Sequence, residues 1–272
     1  MINSNYYINQ ILKIFLNMRL KKLNRLLISF LLVQVFVIRI NSQTSEEIKI
    51  SSSYYYKGIV ALDQGDYDRA IELFNLAIEL DHNNRIYYYA LGSSHDSNHN
   101  EEEAIVAFTK AIELNSKYGA AYYRRALCID FSDENSRHMS INDFSKAILY
   151  YEKGEIHYKL DQAYCFRGYI YGEENKYREA ILDFNSALKI NPNNYSALDG
   201  KARTKRVLGD YKGSILIWNK LIKIFPENSE YYFDRGKAKF LLNDLIGACA
   251  DFSKAGDLGE IEAFELLKTY CQ

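Results

Sequence analysis

Between residues 51 and 262 one pattern of about 34 residues is written six times, at 51–84, 85–118, 119–154, 161–194, 195–228 and 229–262. Numbered from the start of each block, position 4 is Tyr54, Tyr88, Tyr122, Tyr164, Leu198 and Tyr232. Position 8 is Gly58, Gly92, Ala126, Gly168, Ala202 and Gly236, and position 24 is Phe74, Phe108, Phe144, Phe184, Trp218 and Phe252. Position 20 is Ala or Ser throughout, and position 27 is Ala except for Leu221 in the fifth block. A chain with such self-similarity builds one supersecondary unit repeatedly, and each unit hides its apolar face only against its neighbours. Stretches such as AIELFNLAIEL (70–80) and AIVAFTKAIEL (104–114) place apolar residues at i, i+3, i+4 and i+7, which predicts amphipathic helices. The only two prolines, Pro192 and Pro226, fall in NPNN and FPEN at the ends of blocks, where they break the helices. The third block carries two extra residues before position 20, and residues 155–160 stand between it and the fourth.

This pattern resembles the tetratricopeptide repeat family over nearly all of residues 51–272. The resemblance implies an all-α fold: an α-solenoid of six helix-turn-helix repeats in a right-handed superhelix. The expectation is about 13 helices after residue 48 and no sheet, with a closing helix at 260–271, containing EIEAFELLKTY, over the apolar end of the stack. In the family, positions 2, 5, 9 and 12 of the first helix line a concave groove. The position 4 tyrosines are then structural, while Tyr55, Tyr89 and Tyr123 at position 5 and Tyr169 at position 9 face the groove as an aromatic ladder. The alternative is that these rings cap the core. Arg203 and Arg206 in the fifth repeat and Lys237 in the sixth make the later part of the groove cationic, which suits an extended peptide with an acidic end. A solvated charge run is the plainer alternative. The carboxylate clamp of chaperone-binding members needs Lys at position 5 and Asn at position 9 of one repeat, and no repeat here has that pairing.

Residues 1–42 are a different text, with six basic residues and no Asp or Glu. MRLKKLNR, then LLISFLLVQVFVI (26–38), then a short polar exit read as a secretory signal peptide cleaved after Ser42, with 1–17 as an upstream extension. The apolar run of 13 residues is short for a span, which needs about 20. The alternative is an uncleaved N-terminal anchor. Residues 43–50 are expected as a linker, and the destination is periplasmic or extracellular. Loss of 1–42 takes the net charge from −1 to −7, an unfavourable balance for nucleic-acid binding.

Candidate chemistry is sparse. His95 and His99 have the i, i+4 spacing of a zinc pair but straddle the expected turn of the second repeat. DENSRH (133–138) reads as the widened turn of the third. There is no phosphate-cradling glycine loop and no GxSxG elbow. The sequence therefore reads as a non-catalytic scaffold without cofactor or metal that binds a peptide or protein segment. The alternative is an enzyme or carbohydrate-handling accessory with a site in the irregular region 131–160.

Two pairings follow from the repeat frame. Position 7 is Arg125, Arg167 and Arg235 in the same repeats where position 23 is Asp143, Asp183 and Asp251. The other three repeats have Lys57, Leu91 and Lys201 against Leu73, Ala107 and Ile217. A guanidinium meeting a carboxylate across each helix pair explains the match. The four cysteines, Cys128, Cys165, Cys249 and Cys271, allow three full pairings. Positions 21 and 9 of adjacent antiparallel helices lie at similar height, which favours a Cys249–Cys271 bridge with Cys128 and Cys165 as free thiols. The alternative is four small buried side chains filling helix contacts.

Overall fold

Five of the helix pairs are closed by a residue in the left-handed region. Position 15 is Gly65 (φ 77°), His99 (φ 59°), Asn175 (φ 57°), Gly209 (φ 82°) and Asn243 (φ 64°) in five of the repeats. Glycine, Asn and His tolerate this conformation better than most residues. Aspartates then restart the chain: Asp66, Asp210 and Asp244 each accept the backbone N–H three residues on, at 2.9–3.2 Å. Such a cap satisfies an orphan donor of the new helix. Asn194 and Asn228 do the same between repeats, accepting from the N–H of Ala197 and Tyr231.

The structure, a computed structural model, describes residues 45–153 and 159–271. It is all-α, with thirteen helices and no strand among the described residues. These are α1 (45–63), α2 (Tyr67–Leu80), α3 (Arg85–Ser97), α4 (Glu101–Leu114), α5 (Gly119–Cys128), α6 (Glu134–Lys153) and α7 (Leu160–Glu173). Then follow α8 (Tyr177–Ile190), α9 (Tyr195–Val207), α10 (Tyr211–Ile224), α11 (Ser229–Leu241), α12 (Leu245–Asp257) and α13 (Ile261–Tyr270). The expected signal peptide and its upstream extension lie outside the described residues. Of the expected linker, residues 45–50 are the first turns of α1. No Gly or Pro interrupts SEEIKISSS, and Glu46 and Glu47 favour the positive end of a helix.

The chain forms two compact units, one ending at Tyr87 and one beginning at Tyr88. In the first, Phe74 is fully buried and the rings of Tyr55 and Tyr87 lie 5.3 Å apart. The Tyr87 hydroxyl shares a hydrogen bond with Ser51 at 3.2 Å. In the second, Phe108, Phe144, Phe184, Trp218 and Phe252 are at most 1% exposed, and successive helices pack as antiparallel pairs around them. Close approach requires small partners: a Cβ on Gly200 would stand 2.4 Å from the Phe184 ring. Position 24 is thus a large side chain with no room around it, the arrangement of a close-packed interior.

The third repeat departs from the pattern. Its first helix, α5, has 10 residues against 13 or 14 in α3, α7, α9 and α11, and α6 has 20. Asp133 causes this early start, because its carboxylate accepts from the N–H of Asn135 and Ser136 at 2.8 and 3.0 Å and from the Ser136 hydroxyl at 2.6 Å. The expected turn at 133–138 is therefore helix from Glu134 on, and the irregular region shrinks, among the described residues, to 129–133.

Each predicted Arg–Asp pair is made by two parallel hydrogen bonds. Arg125 Nε and Nη2 reach Asp143 at 2.7 and 2.8 Å, and Arg167 reaches Asp183 at the same distances. Arg235 reaches Asp251 at 2.8 and 2.6 Å. The guanidiniums also lie 5.5–5.7 Å from the position 4 rings of Tyr122, Tyr164 and Tyr232, so those tyrosines are half-buried lids on the pairs. Cys249 and Cys271 are joined by a disulfide with Cα atoms 5.7 Å apart. Cys128 and Cys165 are free and buried, and burial pushes both thiols up to about 12. The closing helix α13 packs Ala263, Leu266 and Leu267 onto the last repeat, but turns Ile261 and Phe264 outward.

Candidate functional site

Position 5 turns inward. The Tyr123 side chain is only 2% exposed, with its ring 5.9 Å from Phe144 and its hydroxyl donating to Gln162 Oε1 at 2.9 Å. Phe233 and Cys165 at the same position are buried as well. Tyr55 and Tyr89 are partly buried, packed 5.8 and 5.7 Å from Phe74 and Phe108. The ladder is thus corrected: position 5 rings rest on the position 24 aromatic of their own repeat, and Tyr123 offers no surface. Burial pushes its phenol up to about 12.

Tyr169 behaves differently. From α7 its hydroxyl donates to the Ser196 carbonyl at 2.6 Å, bridging the fourth and fifth repeats, while its ring edge meets Phe184 at 5.2 Å. Burial raises its phenol pKa, with the nearby Asp199 carboxylate adding to the effect. Two cavities adjoin at this ring. One of about 440 Å³ is lined by Phe131, Phe166, Tyr169 and Ile170, with Arg137 and Glu173 at its polar end. The other, about 320 Å³, runs from Tyr169 over Gly172 and Gly200 to Arg203, Thr204 and Val207. Phe131 and Phe166 are 41% and 38% exposed, a large aromatic area for a protein surface. The first cavity exists because α5 stops short and Phe131 sits in the loop that replaces its last turn.

The expected cationic stretch is neutralised from within. Arg203 Nε holds Asp199 at 2.8 Å, Nη1 holds Asp234 at 2.8 Å, and Nη2 holds Glu230 at 3.0 Å. Burial alone pulls the Arg203 guanidinium down, but Asp199 and Asp234 outweigh it and the pKa rises. Arg206 Nη2 also faces Asp234, at 3.6 Å. Lys237 lies 3.7 Å from the centre of the Phe233 ring and 4.0 Å from Glu262. Asp234 is 3% exposed, and burial raises its carboxyl against the pull of the three cations. Arg203, Arg206 and Lys237 therefore compose a self-paired network rather than a free positive surface. The sequence reading missed Asp234, whose partners lie 28 to 31 residues upstream on the preceding first helix.

His95 lies in the last turn of α3, and His99 is the left-handed turn residue beyond its end, so the two are not neighbours on one helical face. No group of three or more His, Cys, Asp or Glu among the described residues is placed to hold a metal ion. No helix among the described residues is long and apolar enough to cross a membrane.

Residues 51–84 and 161–194 match one sequence profile described as tetratricopeptide repeat, and residues 87–118 match a second of the same description. A TPR repeat-containing protein of Methanocaldococcus jannaschii is 27% identical over 185 residues, 55% of this chain and 32% of that protein. Human serine/threonine-protein phosphatase 5 is 32% identical over 108 residues, 40% of this chain and 19% of the phosphatase. The chain thus spans a third or less of the length of these two relatives. Among solved structures, YrrB, described as a TPR protein with an unusual peptide-binding site, superposes with TM-score 0.62 at 18% identity, over 72% of this chain and 97% of that one. At that identity the likeness speaks for the fold. Residues 51–84, 87–118 and 161–194 are thus tetratricopeptide repeats by sequence, and the helix pairs between and beyond them are built on the same positions.

Proposed function

We propose that this chain is a non-catalytic scaffold that binds an extended segment of a partner protein across α5, α7 and α9, with a bulky apolar side chain seated between Phe131, Phe166 and Tyr169. Tetratricopeptide repeats generally mediate protein–protein interaction, and the YrrB description names a peptide-binding site in a chain of the same fold. The observation that carries the reading is the pair of cavities meeting at Tyr169, the first lined mainly by apolar side chains and the second mixing Tyr169, Phe184 and Val207 with Arg203 and Thr204, so that an apolar anchor and polar contacts lie side by side. The neutralised Arg203 network removes the requirement for an acidic partner. Selection of a displayed peptide library on the immobilised chain supplies ligands. Phe166→Glu and Tyr169→Ala are then expected to weaken the selected peptides by about 30-fold, the scale of a hot-spot loss. Leu182→Glu, on an exposed outer position of α8, leaves them unchanged. Equal binding by all variants rejects this site.

We also propose export through the segment preceding Gln43, a reading that rests on its basic start and apolar run. The Cys249–Cys271 bridge agrees with it, since disulfides persist in oxidising compartments. N-terminal sequencing of the protein made in its native host should begin at Gln43 in the exported fraction. A first residue at Met1 or Met18 there favours the uncleaved anchor.

A further inference from the structure

The arginines of the three Arg–Asp pairs do more than join the helices of one repeat. Arg125 Nη1 donates to Thr109 Oγ1 at 2.9 Å, Arg167 Nη1 to Ser145 Oγ at 2.9 Å, and Arg235 Nη1 to Asn219 Oδ1 at 2.7 Å. Each acceptor is at position 25 on the second helix of the preceding repeat, whereas the Asp is at position 23 on the second helix of the arginine's own repeat. One planar guanidinium thus ties α4 to α6, α6 to α8, and α10 to α12. The side chain suits this task because its donors fork in fixed directions.

The tie between α8 and α10 is missing. The fifth repeat has Lys201 where the arginine stands and Ile217 where the aspartate stands. Lys201 has no ion-pair partner among the described residues, and its ammonium is pulled down by burial and by Lys205. The acceptor is still in place: Asn185 occupies position 25 of the fourth repeat and is exposed, whereas Thr109, Ser145 and Asn219 are partly covered. On the opposite side the same two repeats are joined by the Tyr169 hydroxyl to the Ser196 carbonyl, and Asn194, the cap of α9, donates from Nδ2 to Asp161 of α7 at 3.0 Å.

We infer that the fourth and fifth repeats meet at a joint, hinged on the α7–α9 contact and free to splay along the α8–α10 edge. The cavity from Tyr169 to Arg203 lies on the hinged side of that joint, so splaying changes its width. Repeat arrays divide where the interface between neighbours is weakest, and local opening reports that division.

Amide hydrogen exchange of the whole chain in rising urea, below the global transition, tests the joint. The expected result is two groups, α4–α8 and α9–α13, whose protection differs by about ten-fold or more at the same urea concentration. Lys201→Arg with Ile217→Asp supplies the missing tie, with Asn185 as its acceptor, and should merge the two groups. Arg167→Lys with Asp183→Ile copies the untied pair into the fourth repeat and should create a new division between α6 and α7. A single group in the unmodified chain overturns the inference, as does a folded Lys201→Arg, Ile217→Asp variant that keeps the division. Should that variant not fold, absence of a new division in the Arg167→Lys, Asp183→Ile variant overturns it alone.

Discussion

Asp143→Ala is expected to destabilise the chain by about 3–5 kcal/mol, the cost of stranding a buried charge. Asp143 is 2% exposed and takes both of its bonds from Arg125, whose own side chain is 19% exposed. Removal of the carboxylate leaves the guanidinium with the Thr109 hydroxyl and the face of Tyr122, neither of which carries a countercharge. The informative comparison is the double variant Arg125→Leu, Asp143→Ala. It writes into the third repeat the Leu91 and Ala107 that the second repeat already carries at the same positions. Apolar replacement of a whole buried pair is often neutral, because both desolvation penalties go with it. Urea unfolding followed by helical circular dichroism should therefore place the double variant well above the single one. Equal midpoints for the two would show that the pair is not what holds α5 to α6. In the Arg167–Asp183 pair, burial raises the Asp183 carboxyl in spite of Arg167, whereas the Arg167 guanidinium, lowered by burial, is raised on balance by Asp183, so desolvation and pairing largely offset each other. These pairs set the register of each helix pair more than they add net stability.

Replacing Cys249 and Cys271 together by Ser should loosen α13 by about 3 kcal/mol, from the loop that the bridge closes across 22 residues. In a repeat stack the terminal element has a neighbour on one side only, so the loss falls on α13 rather than on the whole chain. Its amides should lose about 100-fold in exchange protection while those of α10 do not, since 1.4 kcal/mol is about a factor of ten. A thiol count provides the independent check. The denatured, unreduced protein should titrate as Cys128 and Cys165 alone, and all four cysteines should react after reduction. In the native protein Cys128 and Cys165 should react slowly at pH 8, because burial holds both thiols near 12. Four reactive thiols without reductant, or unchanged α13 protection in the double variant, would remove the bridge from the solution structure.

The sequence by itself determined everything that recurs. The position 24 aromatics, the small residues at positions 8 and 20 and the breaks at Pro192 and Pro226 established helix pairs, their register and their stacking. The Arg–Asp matches and the Cys249–Cys271 pairing were legible for the same reason: each is a relation between fixed positions of adjacent antiparallel helices. What does not recur was decided by the tertiary structure. Periodicity says which residues of a helix are apolar, not which neighbour each of them meets, so Tyr123 could be read as a groove ring although it sits on Phe144. The charges of Arg203, Arg206 and Lys237 could be counted, but Asp234 and Glu230, which share Arg203 with Asp199, reach it from another helix about 30 residues away. Phe131 and Phe166 became candidate binding residues only because Asp133 starts α6 early and shortens α5, exposing a surface that a regular repeat would have covered. A repeating pattern specifies its own packing because each unit is the environment of the next. An exception to the pattern acquires its meaning from what the chain folds against it.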